Sequence, residues 1–218
     1  MTFNDRCDGT GAVVADPTIP VSIVGGNLVF ADTLAANNDL TLSIVNSGND
    51  VRLHDANNFL FAGSGATQDG QNAVTIPVAS ISGGEIDIDT QAGDDSLTID
   101  FDGGNFVAPI VSIDYDGGGP NTSPGDSLSV TGGGTFADAT FEFDSASTGS
   151  IDVSGNATIT YTGLEPITSS IAATDIILNY SNAAETITVS DSGMAGETTV
   201  DSTLGEIVTF TNPTGSLS

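Results

Sequence analysis

"EIDIDTQAGDDSLTIDFDGGN", Glu85–Asn105, sets two short runs in which apolar residues alternate with polar or acidic ones on either side of a turn rich in Gly and Asp. Strand side chains change face at every residue, so each run offers an apolar edge to a core and an acidic edge to water. Ile86, Ile88, Ile99 and Phe101 are expected inside, and Asp87, Asp89, Asp100 and Asp102 outside. The pattern recurs: "IDID" begins at Ile86, "IDFD" at Ile99, "IDYD" at Ile113, "LSVT" at Leu128 and "FEFD" at Phe141, a spacing of about 14 residues. Ile113, Tyr115, Phe141 and Phe143 thereby join the inward set, and Asp114, Asp116, Glu142 and Asp144 the outward one.

Two all-β architectures accommodate this spacing. In a parallel β-helix, successive strands lie on different faces and equivalents stack two periods later, about 28 residues on. In an antiparallel β-sandwich, neighbouring strands pair directly as hairpins. The strands here are short, the linkers uneven, and tight Asn-Gly or Asp-Gly turns few. These features favour a right-handed parallel β-helix over the sandwich. Strand-like runs separated by Gly, Asn, Asp and Ser fill most of the chain, and no long window keeps a helical period. Residues 1–20 lack alternation and read as an N-terminal arm or cap, with 21–218 as a single domain. "GLEPITSSIAATD", residues 163–175, reads as a loop leaving the stack.

The composition narrows the partners. The 218 residues are 38% hydrophobic, enough to bury a core. Against 29 acids stand only Arg6 and Arg52, for a net charge of −27. Such a surface repels phosphates, which argues against nucleic acid and anionic lipid and makes cations the natural partners. Cys7 is the lone cysteine, so no intrachain disulfide forms. No run approaches the ~18 apolar residues of a membrane span. The N-terminal stretch lacks the cationic and apolar segments of a secretory signal, so an exported protein would carry this chain within a longer one or use a signal outside the usual N-terminal type.

Two groups of acids are candidate cation ligands. Asp94 and Asp95 in the "AGDD" turn combine carboxylates with turn carbonyls, a donor set suited to calcium, which takes six to eight oxygens. The competing reading is a turn whose Asp side chains cap backbone N–H groups. The second group is the acidic strand face, Asp87, Asp100, Asp114 and Asp116. If Asp87, Asp114 and Glu142 stack on successive strands at ~4.8 Å, each pair repels by roughly 1 kcal/mol in water, which bound cations would relieve. A solvated face screened by salt is the simpler alternative.

Catalytic signals are thin. Arg52 and His54 share a strand face with Asp50, an arrangement read as ion pairing rather than as a base with a charged helper. The chain has no Gly-x-Ser-x-Gly elbow and no His-Glu-x-x-His motif. A glycoside hydrolase needs two carboxylates ~5–9.5 Å apart in a cleft, and a sugar platform needs aromatics, which are 6% of this chain with no Trp. A lyase acting on acidic sugar needs cationic side chains. A non-catalytic role is expected, with a carbohydrate-active enzyme as the alternative.

"GGEIDIDTQAGDDSLTIDF", "DYDGGGPNTSPGDSLSVTGG", "GSIDVSGNATITYTGLEPI" and "EIVTFTNPTGSLS" resemble a module of very long, repeat-rich secreted bacterial surface proteins of the adhesin type, over about residues 37–218. The resemblance implies an extracellular or cell-surface location, a structural or adhesive role, and surface polysaccharide or another surface protein as partner. Residues 90–98 are also similar in part to the haemolysin-type calcium nonapeptide. Gly93, Asp95 and Leu97 match its fourth, sixth and eighth positions, while Thr90 and Gln91 replace its first two glycines.

Overall fold

The computed structural model of the chain describes residues 5–7, 13–15, 19–34, 36–120, 122, 125–181 and 183–218. The fold is all-β, in two large sheets of nine and ten strands with no closed barrel. The chain passes repeatedly from one sheet to the other. Strands Asn27–Ala31, Glu85–Asp89, Ser112–Asp116 and Thr158–Thr162 lie side by side and parallel in the nine-stranded sheet. Strands Asp39–Val45, Ser96–Asp100, Ser127–Thr131, Ile167–Ser169 and Val208–Thr211 do the same in the ten-stranded sheet.

Alternation within each strand becomes continuous columns between the sheets. On the nine-stranded sheet Leu28, Ile86, Ile113 and Ile159 are Cα partners in turn, followed two residues on by Phe30, Ile88, Tyr115 and Tyr161. On the facing sheet the columns are Leu40, Leu97, Leu128, Ile167 and Val208, then Leu42, Ile99 and Val130. All of these side chains are buried in one cluster. Each fully buried Leu, Ile or Phe contributes roughly 1.5–3 kcal/mol, so the columns are the main source of stability. All eight inward residues expected from the repeated phrases, Phe141 and Phe143 included, are buried.

The partners of some strands differ from the expectation. Thr135–Phe143, which contains "FEF", is not the next parallel strand after Ser112–Asp116. It forms an antiparallel hairpin with Thr148–Val153, which pairs with Thr158–Thr162, and that last strand takes the expected place. A hairpin arm and a parallel strand bury their apolar edge by the same alternation, so the phrase itself does not distinguish them. Gly149 permits this hairpin's close contact with Tyr161, since a Cβ there would lie 2.4 Å from the phenol oxygen. Residues 163–175 do not leave the stack: Ile167–Ser169 lies between Ser127–Thr131 and Val208–Thr211. Hairpins are also commoner than the turn dipeptides imply. Ile19–Val24 folds back on Asn27–Ala31 through Gly25 and Gly26, both at positive φ, as a tight hairpin requires.

The expected arm over residues 1–20 lies largely outside the described residues. Within it Asp5–Cys7 pairs with Val13–Ala15, and Ile19 already begins a strand of the nine-stranded sheet. Among the described residues no helix is long and apolar enough to cross a membrane.

Candidate functional site

The acids of the repeated phrases fall into two geometrically distinct groups. On the outer face of the nine-stranded sheet, Asp87 is the Cα partner of Asp114, and Asp89 of Asp116. Like charges thus sit one strand apart. Burial first, and then Asp114, Asp89 and Asp116, push the Asp87 carboxyl above its ordinary range. Glu85 is pushed up as well, chiefly by its hydrogen bond with Asp114. The row continues from Asp114 to Thr160, whose hydroxyl donates to the Asp114 carboxylate.

Glu142 does not stack on Asp114. It stands three strands from Asp114 along the row, beyond Thr160 and Ser150, where the Asn179 amide donates to it at 2.6 Å. Asp100 is on the other sheet, between Ser43 and Thr131. The row next to it there carries hydroxyls: Thr41, Thr98, Ser129, Thr168 and Thr209. The two outer faces are therefore chemically different, one acidic and one hydroxylic.

Several of these acids also shape turns. At strand ends, Asp89, Asp100 and Asp116 accept the N–H two residues on, from Gln91 at 3.0 Å, Asp102 at 2.9 Å and Gly118 at 2.9 Å. Such local bonds are what Asp side chains form where a chain leaves a strand. Tight glycine contacts hold the same corner: Gly118 has φ +76° and its Cβ would lie 1.6 Å from the Gln91 carbonyl oxygen.

Asp94 and Asp95 part company. The Asp94 carboxylate points outward, half-buried, and accepts the Thr122 N–H and hydroxyl, both at 2.8 Å. Asp95 turns inward, 2% exposed, because it lies two residues before Leu97 and shares its parity. The same phrase, a polar residue two positions before the first inward apolar one, occurs on every strand of this stack: Asn38 before Leu40, Asp95 before Leu97, Asp126 before Leu128, Glu165 before Ile167, Glu206 before Val208. Parallel register aligns them along one corner, where Asn38, Asp95, Asp126 and Glu206 turn in between the sheets and are buried while Glu165 is exposed.

The corner is a hydrogen-bonded ladder in its first steps. Asp95 Oδ1 accepts the Asn38 N–H at 2.7 Å, and Asp126 Oδ1 accepts the Asp95 N–H at 2.8 Å. Main-chain bonds run alongside, Ser96 to Asn38 and Ser127 to Asp95, both at 2.9 Å. On the first step Asp32 completes the set, taking the Leu34 and Ala36 N–H groups and the Asn38 amide. On the next two steps the set is incomplete. Asp95 Oδ2, Asp126 Oδ2 and the Tyr115 hydroxyl are buried without a hydrogen-bond partner. Burial pushes the Asp95 carboxyl up, opposed by Asn38 and Thr90. Asp126 rises to about 6, from burial above all, with Asp95 and Asp94 adding and the Asp95 N–H opposing.

At the far end, Glu206 is 1% exposed and neither of its oxygens has a partner. Burial, then the Glu165 charge on the neighbouring strand, push its carboxyl to about 8 against the nearby Ile207 N–H.

Among the described residues the basic side chains, Arg52 and His54, are engaged elsewhere. Arg52 Nε donates to Asp69 at 2.7 Å, the ion pair expected for it, and His54 is on the same strand beside Thr41. Among the described residues no three His, Cys, Asp or Glu side chains converge on one point. Two surface depressions flank the Glu197 strand. One holds Asp191, Met194 and Asn212, the other Thr98, Ser129 and Thr168, and neither is lined by Tyr or Phe. Comparison of the chain with protein-family models, curated proteins and solved structures finds no match in any of the three.

The sequence reading included Asp95 but not Asp126, Tyr115 or Glu206 as site residues. The signal of Asp126 and Glu206 is the acid-x-apolar phrase, whose irregular spacing along the chain hides its regular stacking, whereas Tyr115 carries only the alternation of a core position.

Proposed function

We propose that this chain is a non-catalytic structural or adhesive module of a large extracellular bacterial surface protein. Its architecture is a right-handed parallel β-helix with an acidic, calcium-responsive surface. The observation that carries the reading is the parallel, in-register stacking of unlike faces. Each added pair of strands extends one apolar interior and one hydroxylic face, and two adjacent strands, Glu85–Asp89 and Ser112–Asp116, carry the acidic patch on the opposite face. A structure that grows by such layers is a spacer or a display surface. The hydroxylic face suits contact with surface polysaccharide or another surface protein through hydrogen bonds. The acidic face suits cations, because Asp87 over Asp114 and Asp89 over Asp116 repel unless an ion or salt intervenes. On the calcium reading Asp87, Asp114 and Asp116 are the proposed ligands of the acidic face, and Asp94 and Asp95 at the turn and Asp100 on the other sheet are the remaining candidates.

A thermal melt of the chain in low salt, with calcium against chelator, tests this. Ligands that bind only the folded state raise its stability, so calcium should raise the midpoint by several degrees. Equal midpoints at saturating calcium would remove the calcium response. Release of reducing ends from a polysaccharide would replace the structural reading with the carbohydrate-active one.

A further inference from the structure

We infer that one calcium ion binds at the buried corner between the two sheets, held by the Asp95 and Asp126 carboxylates and the Tyr115 hydroxyl. This inference deepens the calcium response proposed above and rests on it, but it moves the specific site from the acidic face to the interior.

Three buried oxygens of this corner have no hydrogen-bond partner: Asp95 Oδ2, Asp126 Oδ2 and the Tyr115 hydroxyl, on residues 2%, 0% and 2% exposed. Asp95 and Asp126 are on adjacent steps of the ladder. Burial above all pushes the Tyr115 phenol up, with the buried Thr90 hydroxyl opposing and the Asp95 and Asp126 charges adding, so both carboxylates are within electrostatic reach of it. The two carboxylates are already fixed by the ladder, each through its other oxygen. A buried polar atom without a partner is costly, and a buried carboxylate without a counter-charge more so. Among the described residues no cationic side chain supplies that charge, since Arg52 is engaged with Asp69.

One divalent ion balances two carboxylates. The donors are all oxygens, so the ion is hard, and calcium tolerates irregular geometry where magnesium keeps an octahedron of waters that a buried corner does not house. Glycines keep the neighbouring main chain close. A Cβ on Gly93 would lie 2.8 Å from Asp95 Oδ1 and 2.9 Å from the Ala36 carbonyl oxygen. One on Gly117 would lie 2.7 Å from the Asp126 Cβ and 3.0 Å from the Gly163 carbonyl oxygen. The Ala36 carbonyl, which also accepts the Asn38 amide at 2.9 Å, and the Gly163 carbonyl thus lie beside the two Asp side chains.

The test is calcium titration calorimetry and melting of the whole chain, comparing wild type with Asp126→Asn and with Asp87→Asn/Asp114→Asn. Asparagine at 126 keeps the acceptor for the Asp95 N–H, and Asn38 already occupies the first step of the same ladder. Wild type should bind one calcium per chain, with a midpoint rise of about 5–10 °C at a hundredfold excess over Kd. Asp126→Asn should lose tenfold or more in affinity and most of the rise, while the surface double variant keeps both. If the surface variant loses the response and Asp126→Asn keeps it, the acidic-face reading stands and the interior site is overturned. If wild type shows no response, both fall. Should Asp126→Asn not fold, Tyr115→Phe removes one donor oxygen and keeps the ring; unchanged calcium affinity in that variant overturns the site.

Discussion

Glu206→Gln is expected to raise the melting temperature at pH 9 by about 5–10 °C in chelator, and to gain almost nothing at pH 4. The cause is a buried carboxyl whose two oxygens have no partner and whose neighbour on the next strand is Glu165. Folding moves it from an ordinary 4.5 to about 8. Below pH 4.5 the group is protonated whether the chain is folded or not, and its contribution is fully present. Between 4.5 and 8 the unfolded chain releases the proton while the folded chain keeps it, so stability falls as pH rises. Above 8 the folded group ionises too and the loss is complete, on the order of 4 kcal/mol. Glutamine cannot ionise and removes that slope. Melting curves of both proteins at pH 4, 6.5 and 9 check it, and an equal difference at all three would show that Glu206 is not held neutral.

Leu97→Ala should be among the most damaging single substitutions, at about 3–5 kcal/mol. Leu97 is fully buried with Leu40 on one side and Leu128 on the other. Both neighbours are held by continuous main-chain pairing, so the walls of the cavity have little freedom to close. Thr98→Ala, one residue along and facing out, should cost well under 1 kcal/mol. Urea unfolding of the two variants measures the contrast. Equal losses would mean that the inside and outside of this strand had been exchanged.

These effects depend on features that were unevenly visible in the sequence. Facing was legible, because a strand has a strict two-residue period and its apolar edge needs burial; Ile86, Ile99 and Tyr115 follow directly. The same parity puts Asp95 inside with Leu97 and Asp94 outside. Reading both acids as one turn missed that division. Pairing was less legible. "FEFD" and "IDYD" have the same alternation, yet Phe141 lies in a hairpin and Tyr115 in the parallel stack. What separates them is where the chain goes next: after Phe143 it turns back through residues 144–147 into the antiparallel partner Thr148–Val153, whereas after Asp116 it crosses to Ser127–Thr131. The corner ladder was hidden for a related reason. Inserted hairpins make its steps unequal along the chain, while main-chain register makes them equal in space.

The parallel stack is the claim on which the rest depends, and backbone nuclear Overhauser contacts around Ser96–Asp100 test it most directly. Parallel contacts should link this strand to Asp39–Ser43 on one side and to Ser127–Thr131 on the other, with Leu97 level with Leu40 and Leu128. Antiparallel contacts from Ser96–Asp100 to Glu85–Asp89 or Ser112–Asp116, its neighbours in sequence, would contradict the stack and restore the hairpin sandwich.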